Sequence, residues 1–152
     1  MLDPSEGLPD EVFYFIGRIT PFINVDLLIR HPIYGTLLTW RDDPYAGKGW
    51  HIPGGIIRFR EKAIARIRMT AKKELGVSLS FINGPIDVNE IIVPSKRERS
   101  HFISLLFDCS LSEQNYKKLH DQSINNGGSN ICFCKKPPKN LIKYHNIYKK
   151  FF

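Results

Sequence analysis

Cysteine is scarce in this chain of 152 residues: there are three, an odd number, at Cys109, Cys132 and Cys134. The Cys132-Phe-Cys134 pair stands alone, with no second pair and no histidine at finger-like distance, so neither a disulfide framework nor a zinc module is expected. Long apolar runs are also missing. No stretch approaches the ~20 consecutive apolar residues of a membrane span, and residues 1–7 lack the basic and apolar regions of a signal peptide. A cytoplasmic protein with no membrane attachment is the expectation. No internal repeat or long low-complexity stretch occurs, and basic and aromatic residues do not interleave as a base-stacking surface requires, so nucleic acid ranks last among partners.

What is present is a globular composition, 42% hydrophobic and 24% charged, in a chain short enough to predict one domain over residues 1–152. A chain of ~150 residues can bury about 70% of its unfolded surface, so stability alone calls for no staple. The net charge of +7 sits in two blocks: residues 58–75 carry seven Lys/Arg against two Asp/Glu, residues 135–152 carry six against none, and the rest is net acidic. Such blocks suit a small polyanion or a solvated helix face.

Pro9 and two acids precede an apolar run, predicting a short helical N-terminal arm within residues 1–18 that ends at Gly17. The β-branched run 22–29 and the segment 35–40, joined by His31-Pro-Ile-Tyr-Gly35, predict a hairpin; the polar, Pro- and Gly-punctuated residues 41–49 predict a loop. Ile64, Ile67, Ala71 and Leu75 recur at three and four, predicting a helix over 61–75 closed by Gly76. Strands are predicted at 77–82, 87–93, 101–107 and 131–134, a charged turn at 96–99, a loop at 121–130 and a final helix over 139–152 with Leu141, His145, Tyr148 and Phe152 on one face. The order predicts an α+β domain, a mixed sheet with helices on its faces.

The run from Gly55 through Glu61 to Met69-Thr-Ala-Lys-Lys-Glu-Leu-Gly-Val77 resembles the Nudix box, G-x5-E-x7-R-E-U-x-E-E-x-G-U with U aliphatic, and the spacing matches throughout. In the box a loop turns at glycine and a helix follows whose carboxylates at i, i+3 and i+4 share a face, where hard oxygen ligands suit Mg²⁺ or Mn²⁺. Here those positions are Thr70, Lys73 and Glu74, and the box arginine is Met69. A box with fewer acids resembles that of the GDP-mannose mannosyl hydrolase branch, as do Thr20-Pro-Phe-Ile-Asn-Val-Asp-Leu-Leu-Ile29, Leu37-Leu-Thr-Trp-Arg41 and Trp50-His-Ile-Pro-Gly-Gly55.

The resemblance implies a Nudix-like α/β/α sandwich, a divalent cation, a homodimer involving the N-terminal arm, and hydrolysis of a nucleotide sugar to nucleoside diphosphate and free sugar. It implies that the Gly55 carbonyl and the Glu74 carboxylate are metal ligands, that Arg41 and Asp26 contact the leaving group or sugar, and that His101 contacts phosphate or sugar. The branch has Arg after its second glycine; here that residue is Ile56, leaving the charge to Arg58 or Arg60. The branch's late Gln-His pair would fall near residues 126–129, where neither type occurs.

Plainer roles exist for each. Glu74 is also placed to pair on the surface with Arg66, Lys72 or Lys73, Glu61 to favour the helix dipole, and Arg41 to pair with Asp42 or Asp43. Asp26 in an apolar strand needs a partner if buried, His101 suits a strand edge, Trp50 suits core packing, and the lysine-rich tail suits a solvated face. Two other functions stay open: a pyrophosphatase of the same fold cleaving a P–O bond, and a silent nucleotide-binding module in which Lys73 contacts phosphate itself.

Overall fold

The computed structural model describes residues 8–43, 47–93, 101–125 and 130–152. In chain order these form α1 (Asp10–Ile19), β1 (Phe22–His31), β2 (Gly35–Asp43), β3 (Gly47–His51), β4 (Gly54–Ile56), α2 (Ala63–Thr70) with a π-helical turn (Ala71–Leu75), β5 (Phe81–Ile92), β6 (His101–Ser110), α3 (Glu113–Asn125), β7 (Ile131–Cys134) and a 3-10 segment (Lys143–Phe151).

The hub is β1, whose Val25, Leu27, Leu28 and Ile29 are fully buried. A strand buried on both faces reads as a continuous apolar run, and this one runs parallel to β6 from Phe22↔Phe102 to Ile29↔Cys109. β2 pairs with β1 only beside their turn, at Arg30↔Thr36 and His31↔Gly35. β4 takes up the other end of β1, at Asn24↔Ile56 through Asp26↔Gly54. The divergence of β2 from β1 opens the cleft that holds the candidate site. The remaining strands flank: β3 and β7 on β2, and β5 on β6.

Two cores pack the layers. Val25, Leu27 and Ile29 meet Ile67, Ala71 and Leu119 from α2, its π-turn and α3, while Leu28, Leu38, Ile52 and Leu106 meet Leu141 and Tyr148 on the other side. The result is the mixed-sheet sandwich expected. Among the described residues no helix is long and apolar enough to cross a membrane.

Several element boundaries differ from expectation. α1 continues through Gly17, and the Thr20 N–H bonds the Ile16 carbonyl. An interior glycine costs roughly 1 kcal/mol, which the packing of Phe13 on Phe22 (ring centroids 4.5 Å apart) offsets. Residues 41–43 and 47–49 extend the β2–β3 hairpin instead of forming a loop, with Arg41 opposite Gly49. Strand β5 is continuous where two strands were expected, because a register shift between Asn83 and Asp87 absorbs Gly84-Pro85. It begins at Phe81, so residues 77–80 are irregular.

Residues 121–125, expected in a loop, end α3, whose Tyr116 and Leu119 are buried and whose start is capped by Ser112 Oγ accepting the Asn115 N–H (3.3 Å). The predicted C-terminal helix is a 3-10 segment from Lys143, while Leu141 bridges to Trp50. The charged turn at 96–99 and residues 126–129 lie outside the described residues.

Candidate active site

The cleft is a cavity of about 770 Å³ whose lining combines a cationic, a glycine-rich and an apolar part. Its floor is Gly54-Gly55. A Cβ on Gly54 would collide with the Asp26 carboxylate, and one on Gly55 would stand 2.8 Å from Thr70 Oγ1, so both positions need glycine for close approach. From the helix come Arg66, Thr70, Lys73 and Glu74, which recur at about one and two turns and so share a face. The π-turn ends at Gly76, whose φ of 66° is the left-handed conformation expected there. Widened turns of this kind are frequent at functional sites.

Glu74 does not pair on the surface. It faces inward, accepting from Thr39 Oγ1 (3.3 Å) and from the Gly54 backbone. Burial pushes its carboxyl above the usual carboxylate range, opposed by Arg41 and then by the Thr39 hydrogen bond. Glu61 instead supports the preceding loop: its carboxylate accepts the Arg58 N–H (2.9 Å) and pairs with Arg66 Nε (2.8 Å), both side chains largely buried.

Of the residues singled out in the sequence, Arg41, Gly55, Arg58, Lys73 and Glu74 come together in the cavity lining. Three do not line it. Arg60 sits at φ 60° with its guanidinium 5.3 Å from the Phe59 ring, so between the two arginines Arg58 is the one in the cavity. His101 pairs with Glu90 (2.9 Å), leaving the neighbouring Phe102 to line the cavity. Asp26 is 1% exposed and lies beneath Gly54. It accepts from Asn24 Nδ2 (2.8 Å), Ser104 Oγ and the Tyr148 hydroxyl, and burial raises its pKa against these hydrogen bonds. A carboxylate enclosed by three donors organises the floor and does not reach into the space above it.

Arg66, His51, His145 and Tyr144 also line the cavity and were not singled out from the sequence. Arg66 had a signal, its spacing of four and seven from Thr70 and Lys73; the others had none. The Tyr144 hydroxyl accepts from Arg41 Nη1 (3.5 Å). His51 Nδ1 lies 2.8 Å from the Thr39 carbonyl, which places a proton on that nitrogen. His145 Nδ1 accepts the Ile52 N–H (3.1 Å), and burial, with Arg41, pushes this imidazole down to about 3.

That depression gives a prediction. Below pH ~6.5 the unfolded chain takes up a proton that native His145 refuses, so stability falls with decreasing pH until the native value near 3, by up to ~1.4 kcal/mol per unit. Urea unfolding at pH 6, 5 and 4 should show a shallower loss in His145→Gln than in the native chain. Equal slopes would mean that His145 is not held neutral.

The resemblance implies a divalent cation, and the donor set decides what kind of site this is. Thr70 and Lys73 stand at two of the three acid positions, and among the described residues no group of three His, Cys, Asp or Glu converges. Mg²⁺ is commonly held by one or two carboxylates plus substrate phosphates. Glu74 with the Gly55 carbonyl therefore fits an ion that arrives with a diphosphate, not one held by the protein alone.

No family model matches the chain. The low-salt glycan biosynthesis protein Agl8 of Haloferax volcanii is 28% identical over 115 residues, 74% of this chain and 73% of its own. The MutT NUDIX hydrolase from Burkholderia pseudomallei superposes with a TM-score of 0.54 at 18% identity, covering 60% of this chain and 68% of that one. The NUDIX domain of Shewanella oneidensis NrtR complexed with ADP ribose gives 0.52 at 16% identity, covering 75% and 73%. Mixed sheet, glycine floor, box helix and these superpositions agree: the chain has the Nudix hydrolase fold.

Proposed function

We propose that the cavity binds a nucleotide sugar, GDP-mannose or a relative, and hydrolyses it with Mg²⁺ or Mn²⁺ to nucleoside diphosphate and free sugar. The observation that carries this is the grouping of Arg41, Arg58 and Lys73 in one cavity lining with an inward-facing acid, Glu74, over a glycine floor, Arg66 being paired with Glu61. Paired cationic side chains suit the charge that collects on a departing diphosphate. The similarity to a glycan biosynthesis protein and to a domain that binds ADP ribose supports a diphosphate-linked sugar.

In this reaction water attacks the sugar carbon, the C–O bond breaks, and its electron pair leaves on the diphosphate as the water proton is lost. A divalent ion, when bound, neutralises charge on that leaving group; Glu74 and the Gly55 carbonyl would hold it. Arg41 and Arg58 bind phosphoryl oxygens, Lys73 supplies a point charge where the box normally has an acid, and Asp26 holds Asn24 and the floor in place.

A second function is favoured by the Lys73 ammonium in the lining: a silent module that binds nucleotides without turnover. Calorimetric titration with GDP-mannose, with and without Mg²⁺, followed by product analysis, separates the two. The hydrolase predicts metal-dependent release of GDP and mannose. Release of GMP and mannose phosphate would replace it with P–O cleavage, and metal-independent binding without products would establish the module.

A further inference from the structure

The Cys132-Phe-Cys134 pair takes no part in the cleft. Residues two apart on a strand point to the same face, and on β7 this brings the two sulfurs to 3.5 Å. Both thiols are free, and they pack against the second core beside Phe151 and Phe152. Cys134 also lines a second cavity, of about 570 Å³, with Lys135, Phe151, Phe152 and an Arg30–Asp108 ion pair (3.4 Å), whereas Cys132 does not. Donation from Cys132 lowers the pKa of Cys134 and raises that of Cys132, which burial raises further. Cys109 differs: it is 1% exposed, its Sγ donates to the Phe107 carbonyl (3.7 Å), and burial pushes its thiol up to about 12.

Independently of the nucleotide-sugar function, we propose that Cys132 and Cys134 are a reactive dithiol that exchanges with small disulfides of the glutathione type, Cys134 attacking from the cavity and Cys132 resolving. The Lys135 ammonium in the same lining suits a disulfide that carries carboxylates. The Cys134 thiolate attacks one sulfur of the incoming disulfide, a bond forms to Cys134, and one thiolate leaves and takes up the proton that Cys134 lost. Cys132 then attacks Cys134 Sγ, the mixed disulfide breaks, and the second thiolate leaves with the Cys132 proton. Two protein thiols are oxidised and one small disulfide is reduced to two thiols. Cα atoms two apart on a strand stand about 6.6 Å apart, near the upper end of the roughly 4.4–6.8 Å that a disulfide spans. Closing the bridge therefore strains the strand, and β7 is placed to yield, since among the described strands it pairs with β2 alone. A strained bridge is readily reduced, which suits a reversible modification and not a structural staple. It forms against the core that holds Leu141 and Tyr148, beneath the segment that supports Asp26.

Reaction of the folded full chain with glutathione disulfide, followed by mass spectrometry, tests this without any ligand of the cleft. The expected product has lost two hydrogens, carries a Cys132–Cys134 bridge, and is restored by dithiothreitol. Cys132→Ser should stop at a mixed disulfide with glutathione on Cys134, and Cys134→Ser should react at least about 10-fold more slowly than the native chain. Iodoacetamide on the native chain, which requires no variant to fold, should alkylate Cys134 first, at least about 10-fold ahead of Cys109. A lasting glutathione adduct on the native chain with no bridge, Cys134→Ser reacting as fast as the native chain, or Cys132 or Cys109 alkylated first overturns the proposal.

Discussion

Asp26→Ala is expected to lower the unfolding free energy by about 3 kcal/mol, read from urea midpoints. The substitution removes the common acceptor of Asn24, Ser104 and Tyr148, and each buried donor left unsatisfied costs about 1–3 kcal/mol. Partial relaxation keeps the total below the sum, because the Ser104 and Tyr148 hydroxyls stand 2.8 Å apart and one can turn to donate to the other once Asp26 is gone. Asp26→Asn, of the same shape, should cost less. The pH dependence has a defined sign: native Asp26 holds its proton to higher pH than the unfolded chain does, so its burial subtracts stability as pH rises past the ordinary carboxylate value toward the raised one. Asp26→Asn should lack that decline. A loss under 1 kcal/mol in Asp26→Ala would mean that the three donors find other partners.

Glu74→Gln is expected to lower kcat on GDP-mannose by about 10²–10³-fold, the scale for removing one group that stabilises transition-state charge. Stability should change little, since glutamine retains an acceptor for Thr39 and sheds a buried charge. The same acid sets a pH limb. Burial favours its neutral form before metal binds, so capture of the cation, which needs the carboxylate, should strengthen as pH rises through and above the usual glutamate range. The limb should vanish in Glu74→Gln. Full activity in that variant would remove Glu74 from the reaction.

What was legible in the sequence was local. The box spacing from Gly55 to Gly76 sets the floor, the helix face and the left-handed stop within one stretch of chain, and β1 announced itself as a strand by its apolar, β-branched run, though not as one buried on both faces. α3 was not legible, because only Tyr116 and Leu119 of its residues are buried and its polar remainder matches loop composition. The extension of β2 through Arg41 depends on pairing with Gly49, a contact that composition cannot supply. His145 is a core histidine by periodicity alone. Its meaning comes from the Ile52 N–H, 93 residues away in sequence, just as Asp26 takes its partners from 78 and 122 residues downstream. Such polar groups become interpretable only when their distant partners are known.

The 3-10 segment near the C-terminus carries part of the cleft's support. Tyr144, His145 and Tyr148 respectively meet Arg41, the Ile52 N–H and Asp26, so residues from the last stretch described complete a floor laid down by β1 and β4. A chain that stops after β7 lacks all three contacts, together with Leu141 and Tyr148 of the second core. The candidate cleft is thus finished from the last stretch described, and truncating that stretch would remove support from Asp26 on β1, Arg41 on β2 and the β3–β4 connection at Ile52.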